Sequence, residues 1–284
     1  MEAKFTSPVF TIEPESSIYE ALRQMQTNFV KHIIVTNDNK PVGVVTERDI
    51  NKFLENDKTS RALNEIPIKH VMHKNVISIS DGYDDHFNQC ATRMETFKIG
   101  SIVLVDDQGY IIGIVTKTDI VKAFSMVYGG KFKVQDYMTK GAVTCRKSDS
   151  LQFALDIMNR NDISRLVVTD ENGIPQGLIS TNTFLNHSDY FSKGSTRSRD
   201  YLLPIGKSEK LCVSDLMADE ILTINEGEDL ATAASLMIKN KIGGIPVVDS
   251  KKNLVGVISK FDIVKAFIIV GTNENLKSKY RDFY

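Results

Sequence analysis

The sequence predicts an α/β protein made of four β-α-β-β-α repeats, and three observations carry that prediction. A glycine-led strand that ends in a hydroxyl residue occurs four times, with Thr46, Thr116, Ser180 and Ser259 as the hydroxyl residues. A strand of mostly β-branched apolar residues precedes each copy, and an amphipathic helix precedes that strand. Such self-similarity along a chain is the signature of a repeat architecture.

Each repeat begins with a short strand that carries a hydroxyl residue, and a helix follows it. In the first helix, Ile18, Ala21, Leu22 and Met25 stand at positions i, i+3, i+4 and i+7, which places them on one apolar face. Equivalent helices are predicted at 151–158 and 230–237, and 83–90 is a poorer version of the pattern. The hydroxyl residues of the four opening strands are Thr11, Ser78, Thr144 and Thr223.

Two further strands and a second helix complete each repeat. The first of these strands is apolar almost throughout, which is typical of a sheet covered on both faces. The glycine-led strand follows a polar turn, and the second helix is expected to begin at its hydroxyl residue. Because a unit of about 60 residues buries little surface, each repeat is expected to pair with its neighbour. Ser125–Gly130 is interpreted as a short hinge between the second and third repeats.

The composition favours a globular protein of the cytoplasm. The net charge of −1 provides no overall field that would recruit nucleic acid or an anionic membrane. The three cysteines are scattered and odd in number, which argues against a disulfide framework and for a reducing compartment. No apolar run of about 18 residues predicts a membrane span.

The junction between the glycine-led strand and its helix has two interpretations. Thr46 with Asp49 is typical of a helix N-cap with an acidic first turn, worth about 1 kcal/mol. However, a cap needs only the hydroxyl, and Asp119 and Asp262 repeat the carboxylate while Thr183 replaces it. A carboxylate near a helix N-terminus can accept hydrogen bonds from the two vicinal hydroxyls of a ribose. The hydroxyl residue and the N–H groups of the helix start suit a phosphate, and the glycine would let a ligand approach the backbone.

Cations stand beside this junction in only two repeats. Lys31–His32 and Ser164–Arg165 precede the apolar strands of the first and third repeats, whereas Gly100–Ser101 and Gly243–Gly244 take these positions in the other two. Cation and carboxylate would then bracket the phosphate and ribose ends of one nucleotide. The alternative is that Lys31 and Arg165 are solvated surface charges.

On these residues the chain resembles the CBS-domain family over roughly residues 6–269. The marks are the opening strand with its hydroxyl, the Ala-Leu-x-x-Met helix, the strand Pro246–Asp249 and the glycine-hydroxyl-x-x-Asp motif, and the four copies together resemble the regulatory γ subunit of AMP-activated protein kinase. The resemblance implies two Bateman modules in a pseudo-symmetric disc. Module 1 would span 1–127, with repeats at 6–55 and 68–126. Module 2 would span 131–284, with repeats at 133–188 and 211–270 around a linker at 189–210.

The resemblance also implies clefts between paired repeats that bind AMP, ADP or ATP, with S-adenosylmethionine as a further adenosine ligand and no covalent cofactor. The fourth cleft has Ser180 but Thr183 in place of aspartate, and we expect it to be the weakest for ribose. The other three clefts would combine Thr46 and Asp49 with Ser78, Gly100 and Ser101; Thr116 and Asp119 with Thr11, Lys31 and His32; and Ser259 and Asp262 with Thr144, Ser164 and Arg165.

The predicted function is a non-catalytic nucleotide sensor that controls a partner, either an unidentified protein or a second copy in a homodimer. No Ser-His-Asp, Cys-His or phosphate-loop pattern indicates an enzyme. His70 and His73 could share a metal, but no further ligand completes a site. Two alternatives stay open: a scaffold without ligand, and nucleic-acid binding through basic residues of the linker and tail, namely Lys193, Arg197, Arg199, Lys277, Lys279 and Arg281.

Overall fold

The computed structural model describes residues 9–57, 59–80, 86–181, 183 and 211–271. The predicted four-repeat α/β fold class is confirmed in this part of the chain. The linker at 189–210 and the tail at 272–284, with their basic residues, lie outside the described residues. None of the described helices is both long enough and apolar enough to cross a membrane.

The elements follow the predicted order in the first, second and fourth repeats, and in the third repeat as far as its glycine-led strand, after which the second helix lies outside the described residues. The first repeat comprises β1 (Thr11–Ile12), α1 (Ile18–Asn28), β2 (His32–Asn37), β3 (Lys40–Thr46) and α2 (Glu47–Asn56). The second comprises β4 (Ser78–Ser80), α3 (His86–Phe97), β5 (Ser101–Val105), β6 (Ile111–Thr116) and α4 (Lys117–Val127). The third comprises α5 (Val134–Tyr137), β7 (Thr139–Lys140), β8 (Thr144–Cys145), α6 (Leu151–Arg160), β9 (Arg165–Thr169) and β10 (Pro175–Ser180). The fourth comprises α7 (Val213–Leu216), β11 (Ile224–Asn225), α8 (Leu230–Lys239), β12 (Gly244–Val248), β13 (Leu254–Ser259) and α9 (Lys260–Gly271).

Every repeat builds the same small mixed sheet. The opening strand lies parallel to the apolar strand, and the glycine-led strand lies antiparallel on its other side. The sheet orders are β1-β2-β3, β4-β5-β6, β8-β9-β10 and β11-β12-β13-β7. The glycine-led strand is an edge strand in the first three sheets, whereas β7 pairs with the outer side of β13 in the fourth. In each sheet this strand ends at its hydroxyl residue.

The chain divides into two compact units. One holds the second and fourth repeats, within Ile77–Ala142 and Leu222–Tyr284, and the other holds the first and third repeats, within Phe10–Val76 and Val143–Ile221. In the first unit, α3, α4, α8 and α9 share one continuous apolar core. In the second unit each repeat keeps a core cluster of its own. The grouping of consecutive repeats into Bateman modules stays a prediction.

Helix α1 shows how local sequence and burial agree. Its predicted apolar face, Ile18, Ala21, Leu22 and Met25, is buried. Ser17 caps the helix: its hydroxyl accepts from the Glu20 backbone N–H at 3.2 Å, and the Glu20 carboxylate accepts from the Ser17 N–H at 2.7 Å. This reciprocal capping satisfies two backbone donors that the helix cannot.

The interpretation of Ser125–Gly130 as a hinge is wrong for most of that segment. Helix α4 continues to Val127, and Tyr128 is fully buried, with its ring centroid 5.0 Å from that of Phe124 and 6.3 Å from that of Phe267. The backbone N–H of Gly130 donates to Asp229 at 2.7 Å. The apolar content of the segment, rather than its two glycines, decides its structure.

The glycines of the glycine-led strands serve packing, so the expectation that they admit a ligand is wrong in the three repeats where their contacts are described. A β-carbon at Gly177 or Gly256 would lie 2.6 Å from a backbone carbonyl oxygen of an adjacent segment. At Gly43 it would lie 2.6 Å from the sulfur of Met72. Each of these strands is flanked by a segment containing a methionine, and the missing side chain lets that segment pack against it. The flanking methionines are Met72, Met217 and Met138.

Candidate functional site

The three aspartates of the repeated motif make the same two hydrogen bonds at the start of their helices. In each, oxygen Oδ2 accepts both the backbone N–H and the hydroxyl of the residue three positions earlier. The backbone and hydroxyl distances are 2.9 and 2.7 Å for Thr46–Asp49, 2.8 and 2.6 Å for Thr116–Asp119, and 2.9 and 2.7 Å for Ser259–Asp262. Two charge-assisted hydrogen bonds to one oxygen fix the carboxylate at the start of the helix.

The carboxylate therefore does take part in the cap, and the expectation that a cap needs only the hydroxyl is wrong. In the third repeat, the Thr183 hydroxyl replaces Oδ2: it accepts from the Ser180 N–H at 3.1 Å and lies 3.1 Å from the Ser180 hydroxyl. The capping geometry thus survives without a charge. What Thr183 does not supply is the second carboxylate oxygen.

The helix start offers a phosphate less than the sequence suggested. The N–H of the first helical residue already donates to the carbonyl of the residue before the apolar strand, as Glu47 does to Lys31 at 3.1 Å. The same bond occurs from Lys117 to Gly100, from Thr181 to Ser164 and from Lys260 to Gly243. The hydroxyl proton of Thr46 is committed to Asp49, so this oxygen presents lone pairs rather than a donor. Neither this N–H nor the hydroxyl proton is therefore available to a phosphate, which makes side-chain cations more important for holding one.

The second carboxylate oxygen, Oδ1, distinguishes the three aspartates. In Asp49 it lies 2.8 Å from Nε2 of His73, and in Asp262 it lies 3.4 Å from Nζ of Lys265. In Asp119 no described residue forms a hydrogen bond or an ion pair with it. The sequence motif is the same in all three, but the oxygen available to a ligand is not.

The strand register determines which predicted site residues meet within a repeat. His32 lies opposite Thr46 in its sheet, Ser101 opposite Thr116 and Arg165 opposite Ser180. The opening-strand residues are one strand further away, where each pairs with a residue of the apolar strand; these residues are Thr11, Ser78 and Thr144. The combination of such residues across repeats, as the three predicted clefts require, stays a prediction.

In the unit that holds the first and third repeats, Lys31, Glu47 and Arg165 interact electrostatically. Burial lowers the pKa of the Lys31 ammonium, although part of its side chain is exposed; Glu47 raises this pKa, and the Arg165 guanidinium lowers it. Burial raises the pKa of Glu47, and the Lys31 ammonium lowers it. Perturbed groups of this kind are typical of ligand sites. The two cations that the sequence assigned to different clefts therefore repel each other in one unit.

The same two repeats are joined by side-chain contacts close to this cluster. The Asn51 side-chain amide donates to the carbonyl of Thr181 at 3.0 Å in a buried contact. Arg48 and Asp162 form an ion pair at 2.5 Å, with the Asp162 side chain 87% exposed. The buried bond at Asn51 contributes more to the geometry, because an exposed ion pair is worth little.

Sequence reasoning missed the residue directly after the hydroxyl. Lys117 stands there in the second repeat, and its side chain passes close to Gly100, with Cε 3.3 Å from the position that a β-carbon would take. Its ammonium lies 5.5 Å from the ring centroid of Phe261, and Lys260 donates to the Thr118 hydroxyl at 2.9 Å. These lysines supply the positive charge that Gly100 and Gly243 lack. The sequence did contain a signal: lysine follows the hydroxyl residue in the two repeats that have glycine, and not a cation, just before the apolar strand.

The comparison with protein families decides what kind of repeat this is. The CBS domain matches residues 3–56, 68–126, 134–189 and 213–269. The chain belongs to the CBS-domain family. The glycine-hydroxyl-x-x-Asp junctions are therefore equivalent positions of CBS domains, three with aspartate and one with Thr183.

Relatives share this CBS-domain organisation to different extents. The uncharacterised protein MJ1225 of Methanocaldococcus jannaschii is 27% identical over 276 residues, which cover 91% of this chain and 95% of that protein. Its crystal structure, described as that of a proposed archaeal homologue of γ-AMPK, matches with a TM-score of 0.80 and 25% identity, covering 92% of this chain and 97% of that chain. An inosine-5′-monophosphate dehydrogenase of Nitrosopumilus maritimus is 34% identical over 120 residues, which are 42% of this chain but 24% of that enzyme. That match concerns only a part of the enzyme.

The other groups with potential reactivity, a buried cysteine and a histidine, have contacts that account for them without a catalytic or metal-binding role. Burial raises the pKa of the Cys145 thiol to about 12, so this cysteine stays protonated at neutral pH. Within the described residues, no group of three or more His, Cys, Asp and Glu side chains could hold a metal ion. His73, considered above as a metal ligand, instead contacts Asp49.

Replacing Glu47 by glutamine should stabilise the protein at neutral pH. The folded state raises the pKa of Glu47, so its contribution to stability is present below its ordinary pKa and is lost as the pH rises through the folded value. Glutamine does not ionise, so the variant does not lose this stability as the pH rises. Denaturant unfolding should show a gain for Glu47→Gln that is smallest at pH 4 and larger at pH 7. The exposed Glu13 is the control, and an equal pH profile for Glu13→Gln would contradict the assignment.

Proposed function

We propose that this protein is a non-catalytic regulatory protein whose aspartate-bearing CBS domains bind the adenosine nucleotides AMP, ADP and ATP. The observation that supports it most is the Asp119 carboxylate. One oxygen is fixed by Thr116 at 2.6 and 2.8 Å, and no described residue forms a hydrogen bond or an ion pair with the other. A pre-positioned anionic acceptor suits the vicinal hydroxyls of a ribose, because little orientational freedom is lost on binding.

Side-chain cations would hold the phosphate end of the nucleotide. Lys31 and Arg165 repel each other, and burial disfavours the charged form of Lys31. An anion bound between them would offset their repulsion and would favour the charged form of Lys31. The positively charged sulfonium of S-adenosylmethionine would not, so nucleotides fit this cluster better than that ligand does.

Regulation would follow from the binding of ligand to two repeats at once. A ligand shifts a conformational equilibrium only by its differential affinity for the two arrangements. A cleft that takes ribose contacts from one repeat and other contacts from its neighbour has such a difference. The similarity to MJ1225 over most of both chains, with MJ1225 described as a proposed γ-AMPK homologue, supports a role in controlling a partner protein or a second copy.

Calorimetric titration with AMP and ATP tests the proposal. Wild-type protein should bind both nucleotides saturably. If neither binds at millimolar concentration, the sensor function fails, and the scaffold and nucleic-acid alternatives move ahead.

Arg165→Ala should change the ratio of the ATP and AMP affinities, because its charge meets phosphate rather than ribose. We expect ATP to lose roughly tenfold, the equivalent of one charge-assisted hydrogen bond, and AMP to lose less. Arg160→Ala, at the exposed end of α6, is the matched control. Equal losses for the two nucleotides at Arg165→Ala would contradict the phosphate role.

A further inference from the structure

His73 is held beside the strand that leads to Asp49. Its backbone N–H donates to the carbonyl of Val44 at 2.9 Å, and its carbonyl accepts from the N–H of Val44 at 2.9 Å. Val44 lies two residues before Thr46 on β3, so this antiparallel bridge directs the His73 ring towards the cap. The ring Nε2 lies 2.8 Å from Oδ1 of Asp49. The bridge thus holds the backbone of His73 beside the cap, where its ring can reach Asp49.

The equivalent positions of the third and fourth repeats carry no such side chain. The residue that bridges the glycine-led strand is Ala218 opposite Leu178 in the third repeat and Thr139 opposite Val257 in the fourth. Asp262 has Lys265 at the longer distance of 3.4 Å, on its own helix. Among these described copies, only the first repeat brings a ring donor from a flanking segment to the carboxylate.

We propose that His73 is a specificity-determining residue that competes with ribose for Oδ1 of Asp49. This inference rests on the proposed function, since it concerns the oxygen that would accept the vicinal hydroxyls. A donor at 2.8 Å already uses that oxygen, so a ribose must displace it or share it. The His73 side chain is 73% exposed, whereas that of Asp49 is 14% exposed. The ring can therefore turn into solvent at small cost while the carboxylate stays fixed by Thr46.

The consequence is a graded pair of sites from one motif. The Asp119 site accepts ribose without displacing a described hydrogen bond of Oδ1, whereas the Asp49 site first loses its exposed contact with His73. Pairs of that kind contribute little, so the affinity difference should be modest, about three- to fivefold. A protein with such a pair responds to its ligand over a wider concentration range than one with two equal sites.

The test measures the Asp49 site on its own. In the background Asp119→Thr and Asp262→Thr, which copies the cap of Ser180–Thr183, His73→Ala should tighten AMP binding by about three- to fivefold. The same substitution should leave the affinity for 2′,3′-dideoxy-AMP unchanged, because that probe lacks the hydroxyls for which His73 competes. His70→Ala is the matched control, since His70 is an exposed histidine three residues away.

A second measurement uses the unmodified protein, in case the background variants do not fold. Titration with AMP should shift the imidazole NMR resonances of His73 and leave those of His70 in place. Tighter binding of AMP alone, together with that shift, supports the competition. Weaker AMP binding in His73→Ala would mean that the ring contacts the ligand, and equal gains for both probes would mean that the hydroxyls are not involved; either result overturns the inference. If wild-type protein binds AMP but His73→Ala changes nothing, the inference alone fails. If wild-type protein binds no AMP, the proposed function fails with it.

Discussion

Replacing Asp119 by threonine should weaken the binding of AMP and of ATP to the same extent, by roughly tenfold to a hundredfold at this site. Threonine is chosen because Thr183 already keeps the cap of the third repeat with hydroxyl contacts at 3.1 Å. The variant therefore removes the second carboxylate oxygen and leaves the cap. Each lost hydrogen bond to a charged acceptor costs about 1.5–3 kcal/mol. Since both nucleotides carry the same ribose, the two losses should match.

Calorimetry gives the two affinities, and a thermal melt provides the control for folding. The melting temperature of Asp119→Thr should stay close to that of the wild type. Unchanged nucleotide affinities in a folded variant would show that Asp119 does not bind the ribose. A loss confined to ATP would place this residue at the phosphate end instead.

Replacing Gly256 by alanine should lower the free energy of unfolding by about 3 kcal/mol, the upper part of the range for overpacking a core. The new β-carbon would lie 2.6 Å from the carbonyl oxygen of Thr139 and 3.0 Å from the sulfur of Met138. The backbone of β7 is hydrogen-bonded to β13 and cannot move away cheaply. Urea unfolding measures the loss.

Two other glycines calibrate this effect. At Gly129 a β-carbon would meet nothing within 4 Å, so Gly129→Ala should change stability little. At Gly43 the closest atom is the sulfur of Met72, which can shift, so Gly43→Ala should cost less than Gly256→Ala. Equal stability of Gly256→Ala and Gly129→Ala would contradict the packing role of the glycine-led strands.

Periodicity was sufficient to predict the repeats. The apolar face of α1 and the apolar strands were readable because burial alone decides them, and the structure buries Ile18, Leu22 and Ile33 fully or almost fully. The hinge at Ser125–Gly130 was misjudged for the opposite reason. Two glycines suggested flexibility, but the burial of Tyr128 against Phe124 is a tertiary effect that local sequence does not display.

The candidate site was predictable only in its residue types. The repeated aspartates were visible in the sequence. The cap geometry, however, decides that one oxygen binds the helix start and that the other is left for further contacts. The contact of His73 with Asp49 depends on a bridge to Val44. The repulsion between Lys31 and Arg165 acts between the first and third repeats. No spacing in the sequence indicates these long-range contacts, because they arise from how the segments pack.

The measurement that tests the central claim most directly is a crystal structure of the protein grown with AMP. The account predicts a ribose whose vicinal hydroxyls lie within hydrogen-bond distance of Oδ1 of Asp119, with the cap of Thr116 unchanged. It also predicts that the Ser180–Thr183 junction is the least occupied of the four. AMP bound fully at Ser180–Thr183, with Asp49, Asp119 and Asp262 all without ligand, would contradict it.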